Sequence, residues 1–137
     1  MFIDSKPVLH VVDIATSFQA AKFIRNMTAK EAWDALRACW IDTYVGPPDI
    51  IVSDAGKNFT TDEFKASARI MDIKIEEVPV EAHHSIGKVE RYHAPLRRAF
   101  QVISDDLRGQ DISDALILQM AVKAVNDTAG PDLPTDN

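Results

Sequence analysis

Cysteine is nearly absent: Cys39 is the only one in 137 residues. That excludes an intramolecular disulfide framework and any cysteine-built zinc cluster, and it is the usage expected of an intracellular protein. No run of about 18 apolar residues occurs, so neither a transmembrane helix nor a membrane partner is expected. The amino terminus, Met1-Phe-Ile-Asp-Ser-Lys, lacks a basic region leading into an apolar one and does not read as a secretory signal. Positive charge is in deficit, with 15 Lys and Arg against 21 Asp and Glu and a formal net charge of −6. Such a balance excludes a surface that coats nucleic acid generically. Binding to DNA or RNA would need a local basic patch, or metal ions that offset the charge. Internal repeats and low-complexity segments are missing too. What remains is 46% hydrophobic and 26% charged, the composition of one globular domain large enough to bury a substantial core.

Taken in order, the chain opens with Met1-Phe2-Ile3, which looks like the tail of a strand, and the turn residues Asp4-Ser-Lys-Pro7. Pro7 to Asp13 is a strand-length apolar run rich in β-branched residues, and Phe18 to Ile24 alternates as a third strand. These three predict an antiparallel meander. Thr28-Ala-Lys-Glu31 has the form of a capping box, each end bonding the other's amide. It opens a helix carrying Ala32, Ala35, Leu36, Cys39, Trp40 and Tyr44, stopped by Gly46-Pro-Pro48. Trp33 and Trp40, seven apart on that helix, belong to a core or a partner face rather than to base stacking.

Asp49 to Ser53 predicts a buried parallel strand. Thr60-Thr-Asp-Glu63 caps a helix through Phe64, Ala68 and Met71, and Ile73 to Val78 alternates as a strand with one wet face. Beyond a loop from Pro79 to Ser85, a helix spans Gly87 to about Leu107, with Pro95 expected to kink or split it. Asp111-Ile-Ser-Asp114 caps a last helix, Ala115 to Val125, and the tail from Gly130 is expected to fray. The order β-β-β-α-β-α-β-α-α implies a mixed sheet with helices against it.

Two stretches carry chemistry. Ile50-Ile-Val-Ser-Asp54-Ala-Gly-Lys-Asn58-Phe59 reads as a strand ending on a carboxylate and running into a glycine turn. His83-His-Ser-Ile-Gly87-Lys-Val-Glu90-Arg91 reads as a polar loop feeding a helix with a glutamate in its first turn. Asp54 at a strand end suits a functional carboxylate, and it equally suits a turn cap. Glu90 by itself would be a solvated first-turn glutamate. Its neighbours are His83, His84, Lys88, Arg91, His93, Arg97 and Arg98, the one basic cluster in an acidic chain. Cations belong there if the site handles phosphate, although a solvated face has the same composition. Two carboxylates from a strand end and a helix start are what a divalent cation needs when it must also hold phosphate oxygens. The adjacent histidines lack a further ligand at helical spacing, which argues against structural zinc.

On three motifs the sequence resembles the catalytic core of retroviral and retrotransposon integrases. These are DDE polynucleotidyl transferases with a ribonuclease-H-like fold. The motifs are Val12-Asp-Ile-Ala-Thr-Ser-Phe18, Ile51-Val-Ser-Asp54-Ala-Gly-Lys-Asn-Phe59 and His84-Ser-Ile-Gly-Lys-Val-Glu90-Arg91. The 35 residues between Asp54 and Glu90 match the family's spacing, and the Gypsy-type long-terminal-repeat elements look nearest. The resemblance implies an α/β, ribonuclease-H-like fold: a mixed sheet of about five strands, the first truncated, flanked by helices. It implies a catalytic core over residues 1–110, with 111–137 a C-terminal helix and frayed tail of the same domain. It assigns catalysis and metal binding to Asp54 and Glu90, with Mg²⁺ or Mn²⁺ as the ion, two in the family and at most weak binding in this chain. It makes Asn58 a support of the site and puts Lys88, Arg91 and Arg97 against DNA. The implied partners are DNA, as element ends and target, and further copies of the chain; the implied location is the nucleus.

The resemblance also implies a gap. The family's first catalytic Asp lies about 14 residues ahead of the position that Asp13 holds, which falls just before Met1. Asp13 itself matches a second-strand position that is not a ligand. The expectation is therefore a core whose first strand is cut, impaired in 3′-end processing and strand transfer because the carboxylate that bridges both ions is lost. A domain of different class competes with it: a non-catalytic retroelement remnant serving as a nucleic-acid-binding or oligomerisation module.

Overall fold

The structure is a computed structural model that describes residues 1–43, 46–53, 59, 61–77 and 84–129. Strand β1, Phe2–Ile3, turns back on β2, Lys6–Val12, through Asp4 and Ser5. Both turn residues are left-handed, with φ of 50° and 66°, the conformation that lets a two-residue hairpin follow the strand twist. β2 pairs antiparallel with β3, Gln19–Phe23, with His10 opposite Ala21. The predicted meander is present, in the order β1-β2-β3.

Helix α1 spans Ala29–Leu36 and continues as a π-helical turn, Arg37–Ile41. Thr28 caps it as expected, its hydroxyl accepting from the Glu31 amide. The reciprocal half of the box is not made. Asn26 Oδ1 already takes the Thr28 amide, and Glu31 turns to the Arg25 guanidinium. Strand β4, Ile50–Ser53, leads through α2, Asp62–Ile70, into β5, Lys74–Glu77, and the two strands run parallel. Thr61 caps α2 by accepting from the Phe64 amide. Helix α3 spans His84–Asp106, and α4 spans Asp114–Ala129 behind Ser113, whose hydroxyl accepts from the Leu116 amide.

Several expectations need correction. The five strands form a three-stranded antiparallel sheet and a two-stranded parallel one, rather than one continuous mixed sheet among the described residues. β4 is not buried along its length: Ile50 is exposed, Ile51 and Val52 are half-buried, and only Ser53 is enclosed. Its only strand partner among the described residues is β5, so it is less covered than a central strand. Pro95 does not split α3, which remains one helix of 23 residues. The proline ring lies on the exposed face while Leu96 and Phe100, at 0% and 1% exposure, anchor the same turns in the core. The helix also begins at His84, three residues earlier than expected, which moves Glu90 out of the first turn.

Alternation along β2 builds the core on both faces of the sheet. Val8 joins Ile3 and Ala21 in a cluster with Leu96 and Phe100 of α3 and Leu118 and Ala121 of α4. Leu9, its neighbour, enters a second cluster with Ala32 and Leu36 of α1 and Phe64 and Ala68 of α2. The result is three layers, with α3 and α4 on one side and α1 and α2 on the other.

Candidate active-site region

Glu90 projects into solvent from the second turn of α3. The helix touches β4, and Ser53 at the end of that strand is buried. Its Oγ has no hydrogen-bond partner among the described residues. Asp54 follows Ser53 directly, but Asp54 and Asn58 lie outside the described residues, as does His83. The structure therefore supplies one of the two carboxylates, Glu90, on a helix that touches the strand leading into the other. Because Glu90 stands nearly two turns into the helix, the helix dipole that the sequence suggested contributes little at its position. Among the described residues no three His, Cys, Asp or Glu side chains gather closely enough to hold a metal ion. In kind, a donor set of Asp54 and Glu90 is all carboxylate oxygen, which suits Mg²⁺ or Mn²⁺ and not a soft metal.

Lys88 sits differently from a surface cation. It is 8% exposed, and its Nζ donates to the Ile14 carbonyl at 2.7 Å while lying 5.9 Å from the centre of the Tyr92 ring. It thereby ties α3 to the β2–β3 connection. That connection is closed by Asp13, whose carboxylate accepts from the Ala15 amide and the Thr16 hydroxyl. Asp13 is engaged in its own turn. Arg91 is exposed. Arg97 is exposed as well, although its Nε and Nη2 both donate to the Phe2 carbonyl, at 3.2 and 3.1 Å. Arg98 is exposed one residue on.

His93 does not act as a cation in this cluster, contrary to the sequence expectation. Its Nδ1 lies 2.8 Å from Nδ1 of His10 on β2, and Nε2 of His10 lies 2.8 Å from Oε1 of Gln19 on β3. Burial lowers the His10 imidazole to about 4, against the raising effect of the Gln19 hydrogen bond, and the Met1 ammonium adds to the depression. Burial also lowers His93 to about 4, helped by His10, the Met1 ammonium and the Arg97 guanidinium. Both rings are neutral at pH 7. Gln19 is in turn held by Asn126 of α4, whose amide group exchanges two hydrogen bonds with the Gln19 backbone. His10, Gln19 and Asn126 are absent from the residues singled out by sequence. Their one signal was a histidine interrupting an apolar strand.

On the other face of the sheet, the Cys39 thiol is pushed up by burial to about 11, which leaves it protonated and unreactive at neutral pH.

No protein-family model matches the sequence, and no curated protein sequence matches it significantly. Among solved structures, the chain is similar to the catalytic core domain of BIV integrase, with a TM-score of 0.74 at 18% identity. The match covers 93% of this chain and 80% of that one. The chain thus has an α/β, integrase-like, ribonuclease-H-like fold.

Proposed function

We propose that this chain is an integrase-type catalytic core domain of a Gypsy-like retroelement, acting on DNA in the nucleus and assembling with further copies of itself. The observation that carries this is the frame around Glu90: an exposed carboxylate on a helix that touches the strand leading into Asp54, within a fold similar to a retroviral integrase core. Asp54 and Glu90 would hold a divalent cation, Mg²⁺ or Mn²⁺. When bound, such an ion activates an attacking oxygen and stabilises the leaving one in phosphoryl transfer. Arg91, Arg97 and Arg98 supply the positive charge that positions a phosphate backbone, a role that specifies no base sequence.

For residues 1–137 by themselves the proposed activity is narrower. The family's two-ion chemistry uses three carboxylates, and the resemblance identifies only two in this chain. Weak binding of one ion is therefore expected, with little strand transfer. Calorimetric titration of Mg²⁺ and Mn²⁺ tests it. The chain should bind one equivalent weakly, and Asp54→Asn and Glu90→Gln should each remove that heat. An unchanged Mn²⁺ affinity in either variant would overturn the metal assignment.

A further inference from the structure

The contact between His10 and His93 bridges the sheet and α3, and its chemistry restricts its protonation. Oε1 of Gln19 can only accept, so Nε2 of His10 carries hydrogen. Nδ1 of a neutral His10 is then an acceptor, and Nδ1 of His93, 2.8 Å away, is the donor. The rings lie 4.9 Å apart between centres at 41°, and Gln19 is 2% exposed. Asn126 completes the series, accepting from the Gln19 amide at 2.9 Å and donating to its carbonyl at 3.0 Å. One hydrogen-bonded chain therefore joins α3, β2, β3 and α4.

We propose that His93, His10, Gln19 and Asn126 form a proton-operated clasp whose contact between α3 and the sheet opens on acidification while the link to α4 holds. A first proton can enter at Nε2 of His93, and the Nδ1–H of that ring still donates to His10. A second must enter at Nδ1 of His10, the acceptor. Two N–H groups then face each other across the contact, and it opens. The His10 Nε2–H continues to donate to Gln19, and the neutral amides of Gln19 and Asn126 are untouched, so the break falls between β2 and α3.

The charged groups facing the pair oppose any added proton. They are the Met1 ammonium ahead of β1 and the Arg97 guanidinium on α3, while β3 and α4 contribute only the two amides. Glu90, one turn before His93, is exposed to solvent. Both imidazoles are held below their ordinary value of 6.5, so their contribution to stability is complete above pH 6.5. It is lost as pH falls from 6.5 towards 4, by at most tenfold in the folding constant per pH unit for each ring, and by less for the more solvent-screened His93.

Packing of α3 alone is at issue, independent of metal or DNA binding. Imidazole and backbone NMR of the intact chain between pH 7 and 3.5 tests it. His10 should hold Nε2–H and His93 Nδ1–H at neutral pH. The α3 amide signals should then shift with the His10 midpoint, while the Gln19 and Asn126 signals hold. His93→Leu should abolish that α3 transition, and shifts caused by nearby carboxylates will persist in the variant and so be separable. His10 titrating near 6.5 would overturn the clasp, and so would α3 signals that stay fixed while His10 titrates. If His93→Leu does not fold, the wild-type titration alone decides between these results.

Discussion

Lys88 and Arg91 are three residues apart in the same basic stretch, yet the structure gives them different surroundings. Lys88 is enclosed and donates to the Ile14 carbonyl, whereas Arg91 is exposed. Loss of a buried charged donor leaves an acceptor without its partner, at a cost of about 1–3 kcal/mol. Lys88→Met keeps most of the stem packing and should lower stability by that amount in urea denaturation. Arg91→Ala should leave the urea midpoint unchanged. On the proposed function it should weaken duplex DNA binding about equally for all sequences, and reduce the salt dependence by roughly one phosphate contact. Fluorescence anisotropy at several salt concentrations measures both effects. A stable Lys88→Met protein with impaired DNA binding would reverse the roles of the two side chains.

Elements show where local sequence determines structure and where it does not. Pro95 is the clearest case, since it sits in the interior of α3 without breaking it. The ring removes the bond that residue 95 would make to the Arg91 carbonyl, and an interior proline is unfavourable relative to alanine by about 3 kcal/mol. Its exposure means that no packing is lost on replacement. Pro95→Ala should therefore raise stability by about 1–3 kcal/mol, visible as a thermal midpoint several degrees higher; a lower midpoint would show that the proline relieves strain elsewhere. Thr28 was legible as a cap because a cap is a contact across three residues. The stretches Thr60–Glu63 and Asp111–Asp114 marked the starts of α2 and α4, where Thr61 and Ser113 prove to be the capping residues. The meander was legible from alternation and from turn chemistry at Asp4 and Ser5. The His10, Gln19, Asn126 and His93 chain was not, since its links join residues 83 and 107 positions apart. No spacing encodes such a link, which depends on how α3 and α4 lie on the finished sheet. The separation into two sheets escaped for the same reason. Asp54 and Glu90 were found through motif spacing; Glu90 stands exposed on α3, and Asp54 lies outside the described residues.

At the scale of the whole molecule, the two hydrophobic clusters are coupled through adjacent residues of one strand. Val8 enters the cluster formed with α3 and α4, and Leu9 enters the one formed with α1 and α2. Neither cluster can lose its packing without disturbing the backbone that supports the other, because reversing the face of β2 requires shifting its register against β3. Each contains a phenylalanine with about 1% exposure: Phe100 touches Phe23 edge-on at 6.0 Å between centres, and Phe64 meets Trp33 edge-on at 5.5 Å. Removing either ring takes away buried area and leaves a cavity, at about 3–5 kcal/mol. Phe64→Ala and Phe100→Ala should thus destabilise by similar amounts, although they lie on opposite faces of the sheet. In both variants tryptophan fluorescence and far-ultraviolet circular dichroism should report the same single transition. Trp33 and Trp40 pack against the cluster that contains Phe64, so fluorescence reads that side directly, whereas the dichroism is dominated by α3 and α4 on the other. If Phe100→Ala lowered the dichroism midpoint and left the fluorescence midpoint where it stands in the wild type, the two layers would be independent folding units, and β2 would not couple them.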